Sequence, residues 1–387
     1  MSTDARAGGP LSRVDTRIIG ATLLVKLALL ALGVVAAALL GTDAASLLGP
    51  WDRWDAPHYT DLAVFGYRDL DGGGLVGPGG YRSIYPGDLP LYIVFYPLYP
   101  WLVAAVTMLL RDPVVAAFLV SGAASLFVGP LLYRLVAIDE GPAVARRSVW
   151  FLLLFPTAYF LHIGYTESLF LALVLGSFLA ARTDRWWLAG ALGAFAALTR
   201  VNGLILVPAL AAEALVQWWP RGEWRWRWLA IGLVPMGFVA YLGLNLAVYG
   251  DLLAFLEIQR EHWFKSLSPP WVGIAGVIES GLKEPLEDAV MYGWVELVFI
   301  GLGLVGTVVS AFRFRPSWTV WMAGNWLLFV STSFVLSVPR YSLVLFPLFV
   351  WFALLARSWR GTLLVGGLSA AGLVYFAGRF ALGQWAF

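Results

Sequence analysis

No cysteine occurs in the 387 residues, which removes disulfides and thiolate metal sites. Charge is scarce as well. Only 13% of the residues are Asp, Glu, Lys or Arg, against roughly 25% in a soluble domain. The net charge of +2 is too small for a chain that tracks a nucleic-acid backbone, so no nucleic-acid partner is expected. Histidine occurs three times, at spacings that match no zinc motif. No metal-ligand set is assigned, a divalent metal stays open, and no other cofactor is implied. No cleavable signal peptide is expected either: residues 1–16 are polar, and the apolar run that follows is too long for a signal core and has no convincing cleavage site.

What is present is apolar. Hydrophobic residues make up 60% of the chain and aromatics 15%, with 20 Trp, and the mean hydropathy is +0.77. The expected class is an all-α polytopic membrane protein, with membrane lipid as its solvent. Most of the tryptophans then serve as anchors at headgroup depth.

Apolar runs and the positive-inside rule organise the chain. Spans are expected near 17–41, 114–137, 148–163, 168–182, 186–200, 203–217, 228–248, 291–311, 317–336, 343–356 and 361–378. Basic clusters at Arg13/Arg17, Arg146/Arg147, Arg182/Arg185, Arg221/Arg225/Arg227, Arg313/Arg315 and Arg357/Arg360 are placed inside. The tips 162–168, 199–203, 249–292 and 338–342 then fall outside, as does the C-terminal tail. Residues 91–110 are long enough to span, but a crossing there would put Arg146/Arg147 outside. A re-entrant or interfacial segment with Arg111-Asp112-Pro113 outside fits better. The count is about eleven or twelve helices, forming a single membrane-embedded domain over 1–387.

Two outer loops are large. The first, 42–90, carries Asp43, Asp52, Asp55, Asp61, Asp69, Asp71 and Asp88, and a glycine-rich segment from Gly72 to Gly80. That segment lacks the lysine and helix context of a phosphate-binding loop and is expected to be flexible. Residues 51–66 look amphipathic, as if lying along the membrane surface. The second loop, 249–290, carries Glu257, Arg260, Glu261, His262 and Lys265.

Ionisable groups cost several kcal/mol in hydrocarbon, so their clustering is informative. Trp51-Asp52-Arg53-Trp54-Asp55-Ala56-Pro57-His58-Tyr59 is the densest cluster. His58, His162 and His262 all fall outside. So do Tyr165-Thr166-Glu167-Ser168, Thr199-Arg200-Val201-Asn202-Gly203 and Pro339-Arg340-Tyr341. Arginine at a helix end commonly snorkels to the interface; the short stem of Glu167 does so poorly. Arg200 and Arg340 together form a cationic patch suited to phosphate oxygens. Carboxylates beside histidine, arginines at phosphate depth and aromatic surfaces are the parts needed for glycosyl transfer from a lipid phosphate. A single carboxylate base acting opposite the leaving phosphate gives inversion.

These motifs also resemble a known family. Trp54-Asp55-Ala56-Pro57-His58-Tyr59, Gly66-Tyr67 and Phe95-Tyr96-Pro97-Leu98-Tyr99-Pro100 resemble the WDxxH(F/Y)…GY…FPLYP signature of the PIG-V family. This family holds GPI mannosyltransferase 2 and its bacterial relatives among the GT-C glycosyltransferases. Pro156 with Tyr165-Thr166-Glu167-Ser168-Leu169-Phe170 is similar to its NP…YSESLF element, with Phe155 in place of Asn. Thr199-Arg200-Val201-Asn202-Gly203 is similar to TRSNG, with Val201 in place of Ser. The resemblance runs from about residue 20 to about 350. It implies a GT-C bundle in a bacterial-type plasma membrane, with the N-terminus cytoplasmic and an extracytoplasmic active site. The implied donor is a polyprenyl-phosphate sugar, usually mannose. The acceptor stays open among lipid, glycan and protein.

By motif match Asp55 is the implied base and His58 its neighbour. Asp52 is the competitor, since on a helix the two carboxylates would share a face at i, i+3. Glu167, Arg200 and Asn202 would line the site and Arg340 would bind the donor phosphate, with Tyr165, Tyr341 and His262 on the same side. Two rival classes are a lipid transporter or flippase and a non-enzymatic scaffold. A transporter needs polar groups inside the bilayer, for which Glu213, Asn245, Glu296 and Asn325 are the candidates.

Overall fold

The computed structural model describes residues 12–39, 47–67, 76–83, 88–220 and 222–387. Asp43, Asp69, Asp71, the glycines at 72–74 and Arg221 lie outside the described residues. The chain runs through α1 (Arg13–Leu39), α2 (Ala56–Phe65), α3 (Leu98–Leu110), α4 (Pro113–Leu153), α5 (Glu167–Arg182), α6 (Trp186–Thr199), α7 (Leu206–Trp218) and α8 (Val234–Tyr249). A long connection carries α9 (Ala254–His262) and α10 (Pro270–Lys283). Then α11 (Leu286–Asp288) continues through a π turn into α12 (Val295–Arg313). The helices α13 (Pro316–Val330), α14 (Val338–Tyr341), α15 (Pro347–Leu355) and α16 (Trp359–Ala381) complete the chain. Among the described residues only two isolated bridges interrupt this all-helical pattern.

Among the described residues six helical stretches are long and apolar enough to cross a membrane, or seven if the bent pair α14–α15 counts as one span. The other expected spans are shorter helices. The expected spans 114–137 and 148–163 are the two halves of α4, interrupted at Gly141 (φ 79°, ψ 169°) just before Pro142. The second half stops at Leu153, and residues 154–163 form turns around a short 3-10 helix, Ala158–Leu161, instead of continuing it. The expected span 343–356 is also broken: 338–344 and 347–355 meet at 87°.

The stretch 91–110 is not one continuous helix. A 3-10 turn, Leu89–Val94, leads into α3 of 13 residues, which is about 20 Å at 1.5 Å per residue and short of a ~30 Å core. Both ends touch the first large loop. Phe95 packs on His58 at 5.1 Å, and a side chain on Gly79 would run into the Arg111 carbonyl at 2.1 Å. Asp112 caps α4 by accepting from the Val115 N–H at 3.0 Å.

Residues 51–66 are not a surface-lying helix. In α2, Ala56, Pro57, Tyr59, Thr60, Asp61, Leu62 and Phe65 are all buried. The segments 76–83 and 89–94 cover it: Asp61 accepts from the Tyr81 and Ser83 hydroxyls at 2.8 Å each. Its apparent amphipathicity reflects burial of a carboxylate that has partners.

The helix α5 is the structural axis. Phe170, Leu171, Val174, Leu175 and Phe178 are fully buried against α4, α6 and α7. Its two ends carry two separate polar layers, about 24 Å apart for 16 residues. At the C-terminal end Arg182 binds Asp139 (2.5 and 2.8 Å). Nearby, Glu213 accepts from Arg315 (2.7 and 3.0 Å) and Ser317 (2.8 Å). At the other end Glu167 joins the cluster described next. Close helix contacts use small residues: a Cβ on Gly237 of α8 would sit 1.8 Å from the Ala194 carbonyl oxygen of α6.

Candidate active site

Four separate segments meet at the N-terminal end of α5. Arg340 of α14 donates through Nη1 to Asp55 Oδ2 at 2.6 Å and through Nε to Glu167 Oε1 at 2.5 Å. Arg200, at the end of α6, donates through Nη1 to the same Glu167 oxygen at 2.6 Å and to Thr166 Oγ1 at 3.0 Å. The result is one continuous chain, Asp55–Arg340–Glu167–Arg200, with two positive and two negative groups. Glu167 and Arg340 are buried, at 1% and 4% exposure. Asp55 keeps 35% of its side chain exposed, so the network reaches the protein surface at that carboxylate.

Aromatic rings enclose the cations. The Arg340 guanidinium lies 4.6 Å from the Tyr165 centroid and 4.8 Å from Phe160. Tyr341 faces Arg200 at 5.3 Å and Lys265 at 5.8 Å. Such stacking holds a guanidinium plane in one orientation.

Local backbone structure aims Asp55. Trp54 takes a left-handed conformation (φ 58°), unusual for a bulky residue and a source of strain that surrounding contacts must hold. Tyr165 supplies those contacts: its hydroxyl donates to the Arg53 carbonyl at 2.8 Å and accepts from the Asp55 N–H at 3.2 Å. The Trp54 reversal also separates the two candidate acids. Residues 52–55 are not helical, so Asp52 and Asp55 do not share the helical face that their spacing suggested. Asp52 instead lines a cleft of about 330 Å³ with Gly79, Tyr81, Arg111 and Asp112.

The electrostatics divide them too. Burial raises the Asp55 carboxyl, but the Arg340 charge and hydrogen bond, with help from His58, outweigh it and hold Asp55 below the ordinary carboxylate value. Asp52 has no such cation. Burial, then the charges of Asp61 and Asp112, push it up to about 6.

The remaining expected site residues are placed as follows. His58, one turn into α2, packs against Tyr92 at 4.4 Å. Burial lowers its imidazole below the ordinary value despite the pull of Asp55. Asn202 is tied to a structural partner, donating to Asn325 Oδ1 at 2.7 Å. His162 is buried, while His262 is exposed at the end of α9 and forms no ion pair with the network. Among the described residues no group of three or more His, Asp or Glu is placed to hold a metal ion.

Two contributors escaped the sequence reading. Lys265 reaches Tyr341 from the second large loop. Glu296, buried in α12, accepts the Ser337 and Val338 N–H groups at 2.7 and 2.8 Å, which caps α14 and fixes the turn that presents Arg340. A carboxylate inside an apolar helix was the only signal for it.

The glycine after Asn202 has a steric role. A Cβ at Gly203 would lie 2.3 Å from the Ala197 backbone nitrogen. Gly203→Ala is therefore expected to destabilise the fold by roughly 1–3 kcal/mol, as overpacking against rigid backbone does. A thermal unfolding curve of the purified variant checks this.

No protein-family profile and no curated protein matches the chain. Solved structures do. ArnT from Cupriavidus metallidurans bound to undecaprenyl phosphate superimposes with a TM-score of 0.53 and 18% identity, covering 91% of this chain and 64% of that one. The same ArnT in the apo state gives 0.51 and 19%, covering 89% and 62%. The chain has the GT-C fold. It spans slightly less than two thirds of ArnT's length. In this GT-C bundle the ion network sits at the loop-bearing end of α5, and the Glu213 layer at the opposite end.

Proposed function

We propose that the chain is an inverting glycosyltransferase that moves a sugar, mannose on the PIG-V resemblance, from a polyprenyl-phosphate donor to an acceptor hydroxyl at the extracytoplasmic face. One observation carries this reading: Asp55, Glu167, Arg200 and Arg340 come from four distant segments and join in one partly open ion network. The motifs and the GT-C fold support it, and the ArnT relative is one that binds undecaprenyl phosphate.

The roles follow from charge. The acceptor hydroxyl gives its proton to the Asp55 carboxylate. Its oxygen attacks the sugar C1 from the face opposite the phosphate, forming the new C1–O bond. The C1–O bond to phosphate breaks, and its electron pair leaves on the polyprenyl phosphate. Arg340 and Arg200 stabilise that anion. Glu167 balances the two guanidiniums before the donor arrives, and Tyr165 holds the Asp55 turn. His58 shapes the pocket beside Asp55. Asp52 lies outside this set.

The four polar residues that a transporter reading would use are already engaged inside the fold. Glu213 is bound by Arg315 and Ser317. Asn245 accepts from Phe255 N–H at 3.1 Å. Glu296 caps α14, and Asn325 joins Asn202. Each has a structural partner inside the fold.

Purified protein supplied with labelled polyprenyl-phosphate-mannose and a panel of acceptors tests the reading. Label in the acceptor fraction is expected; label carried into proteoliposomes on intact donor would overturn it. The pH profile separates the two acids. With Asp55 as base, kcat/KM shows no acid limb near pH 6, because its folded pKa is depressed. A limb near 6 would assign the proton to Asp52, whose pKa is about 6.

A further inference from the structure

We infer that a second cavity, between α10, the π turn before α12 and residues 333–336, binds a neutral sugar headgroup and is the acceptor subsite. This rests on the glycosyltransferase reading. The cavity has a volume of about 430 Å³, within the range of small-ligand sites. Ser280, Glu284, Asp288, Tyr292 and Ser333 line it.

The cavity adjoins elements that hold the Asp55 network in three places. Its 333–336 wall continues directly into α14, which carries Arg340. Glu296, one turn beyond Tyr292, holds the start of α14 through Ser337 and Val338. An aromatic relay also connects them: Tyr292 stacks on Trp385 at 5.9 Å and 26°, and Trp385 meets Trp54 edge-on at 5.1 Å. Trp54 immediately precedes Asp55.

The chemistry selects the ligand. Glu284 and Asp288 face the cavity without an ion-pair partner among the described residues. Two carboxylates repel a phosphate, so the donor headgroup is excluded and goes to the arginines. Carboxylates and serines accept hydroxyl hydrogens, and aromatic rings pack on the apolar faces of a pyranose. Polyhydroxylated and uncharged is the description of a neutral glycoside.

The test uses protein in phospholipid nanodiscs free of glycoside detergent. The probes are methyl glycosides, octyl glycosides and, as an anionic control, octyl phosphate, titrated by calorimetry. Two variants address the cavity. Tyr292→Ala removes the stacking ring. Gly276→Phe fills the space, because a Cβ there meets nothing within 4 Å and the fold is not strained. We expect saturable binding of a neutral glycoside, weakened about tenfold or more by either variant, and unaffected by Asp55→Asn. Binding of methyl glycosides points to a free glycan acceptor; binding of octyl glycosides alone points to a glycolipid. In transfer assays both variants raise the acceptor KM and leave the donor KM unchanged.

Absence of glycoside binding, or binding that both variants leave intact, overturns the subsite. Transfer with an unchanged acceptor KM in both variants overturns it too, while the transferase reading stands. Variant-sensitive glycoside binding in a wild-type protein that transfers no sugar sinks the transferase reading instead and leaves a sugar site.

Discussion

Asp55→Asn is expected to lower the rate of sugar transfer by about 10²–10⁴-fold, the range for loss of a positioned general base. Asparagine keeps the shape of the side chain and can still meet Arg340 with its amide oxygen, so folding and donor binding should persist. The loss then falls on kcat, because the acceptor proton has no carboxylate to receive it. The same substitution at Asp52 should leave the rate within a few-fold of wild type. Asp52 is separated from the network by the left-handed Trp54 and forms no ion pair with an arginine among the described residues. Rates at saturating donor for the two variants, with donor Kd measured separately, check both statements. Equal losses at the two positions would mean that the network is not where the proton goes.

Arg340→Ala is expected to cost about 3–5 kcal/mol of stability, the range for removing one partner of a buried ion pair. The residue is 4% exposed and neutralises two carboxylates at once. Its loss leaves Glu167, 1% exposed, with Arg200 alone, and leaves Asp55 without a cation. Arg340→Lys should restore charge but not the fork that serves both acids. It should recover part of the stability and little of the transfer rate. A double variant, Arg340→Met with Glu167→Gln, should be more stable than Arg340→Ala alone, because the fully buried Glu167 charge is removed with its partner and only the more exposed Asp55 and Arg200 are left unpaired. Thermal unfolding midpoints of the three proteins, read against the wild type, test this order.

The sequence exposed the network's members but not their pairing. Asp55, Glu167, Arg200 and Arg340 stand out because each is ionisable at the end of an apolar run, where charge is costly. That they form one chain depends on contacts across separations such as the 173 residues between Glu167 and Arg340, and no local pattern encodes that. The separation of Asp52 from Asp55 was invisible for a different reason. It depends on the sign of φ at Trp54, and no propensity favours a positive φ at tryptophan. The placement of α2 failed because its polar atoms looked solvated; Tyr81 and Ser83 satisfy Asp61 instead. Glu296 read as a transport candidate because a buried carboxylate gives no hint that two backbone N–H groups are its partners. The helical class was easy to read because apolar length and basic flanks are local properties. The breaks at Gly141 and between α14 and α15 were not, since they depend on packing against neighbours.

The most direct measurement is the fate of one donor molecule in a single turnover. Purified protein is mixed with polyprenyl-phosphate-mannose labelled at C1 and an accepted acceptor, and the products are resolved by NMR. The account predicts one free polyprenyl phosphate per sugar transferred, and a new linkage of anomeric configuration opposite to that of the donor. A product that retains the donor's configuration, or donor that crosses the membrane with its C1–O bond to phosphate intact, would contradict it.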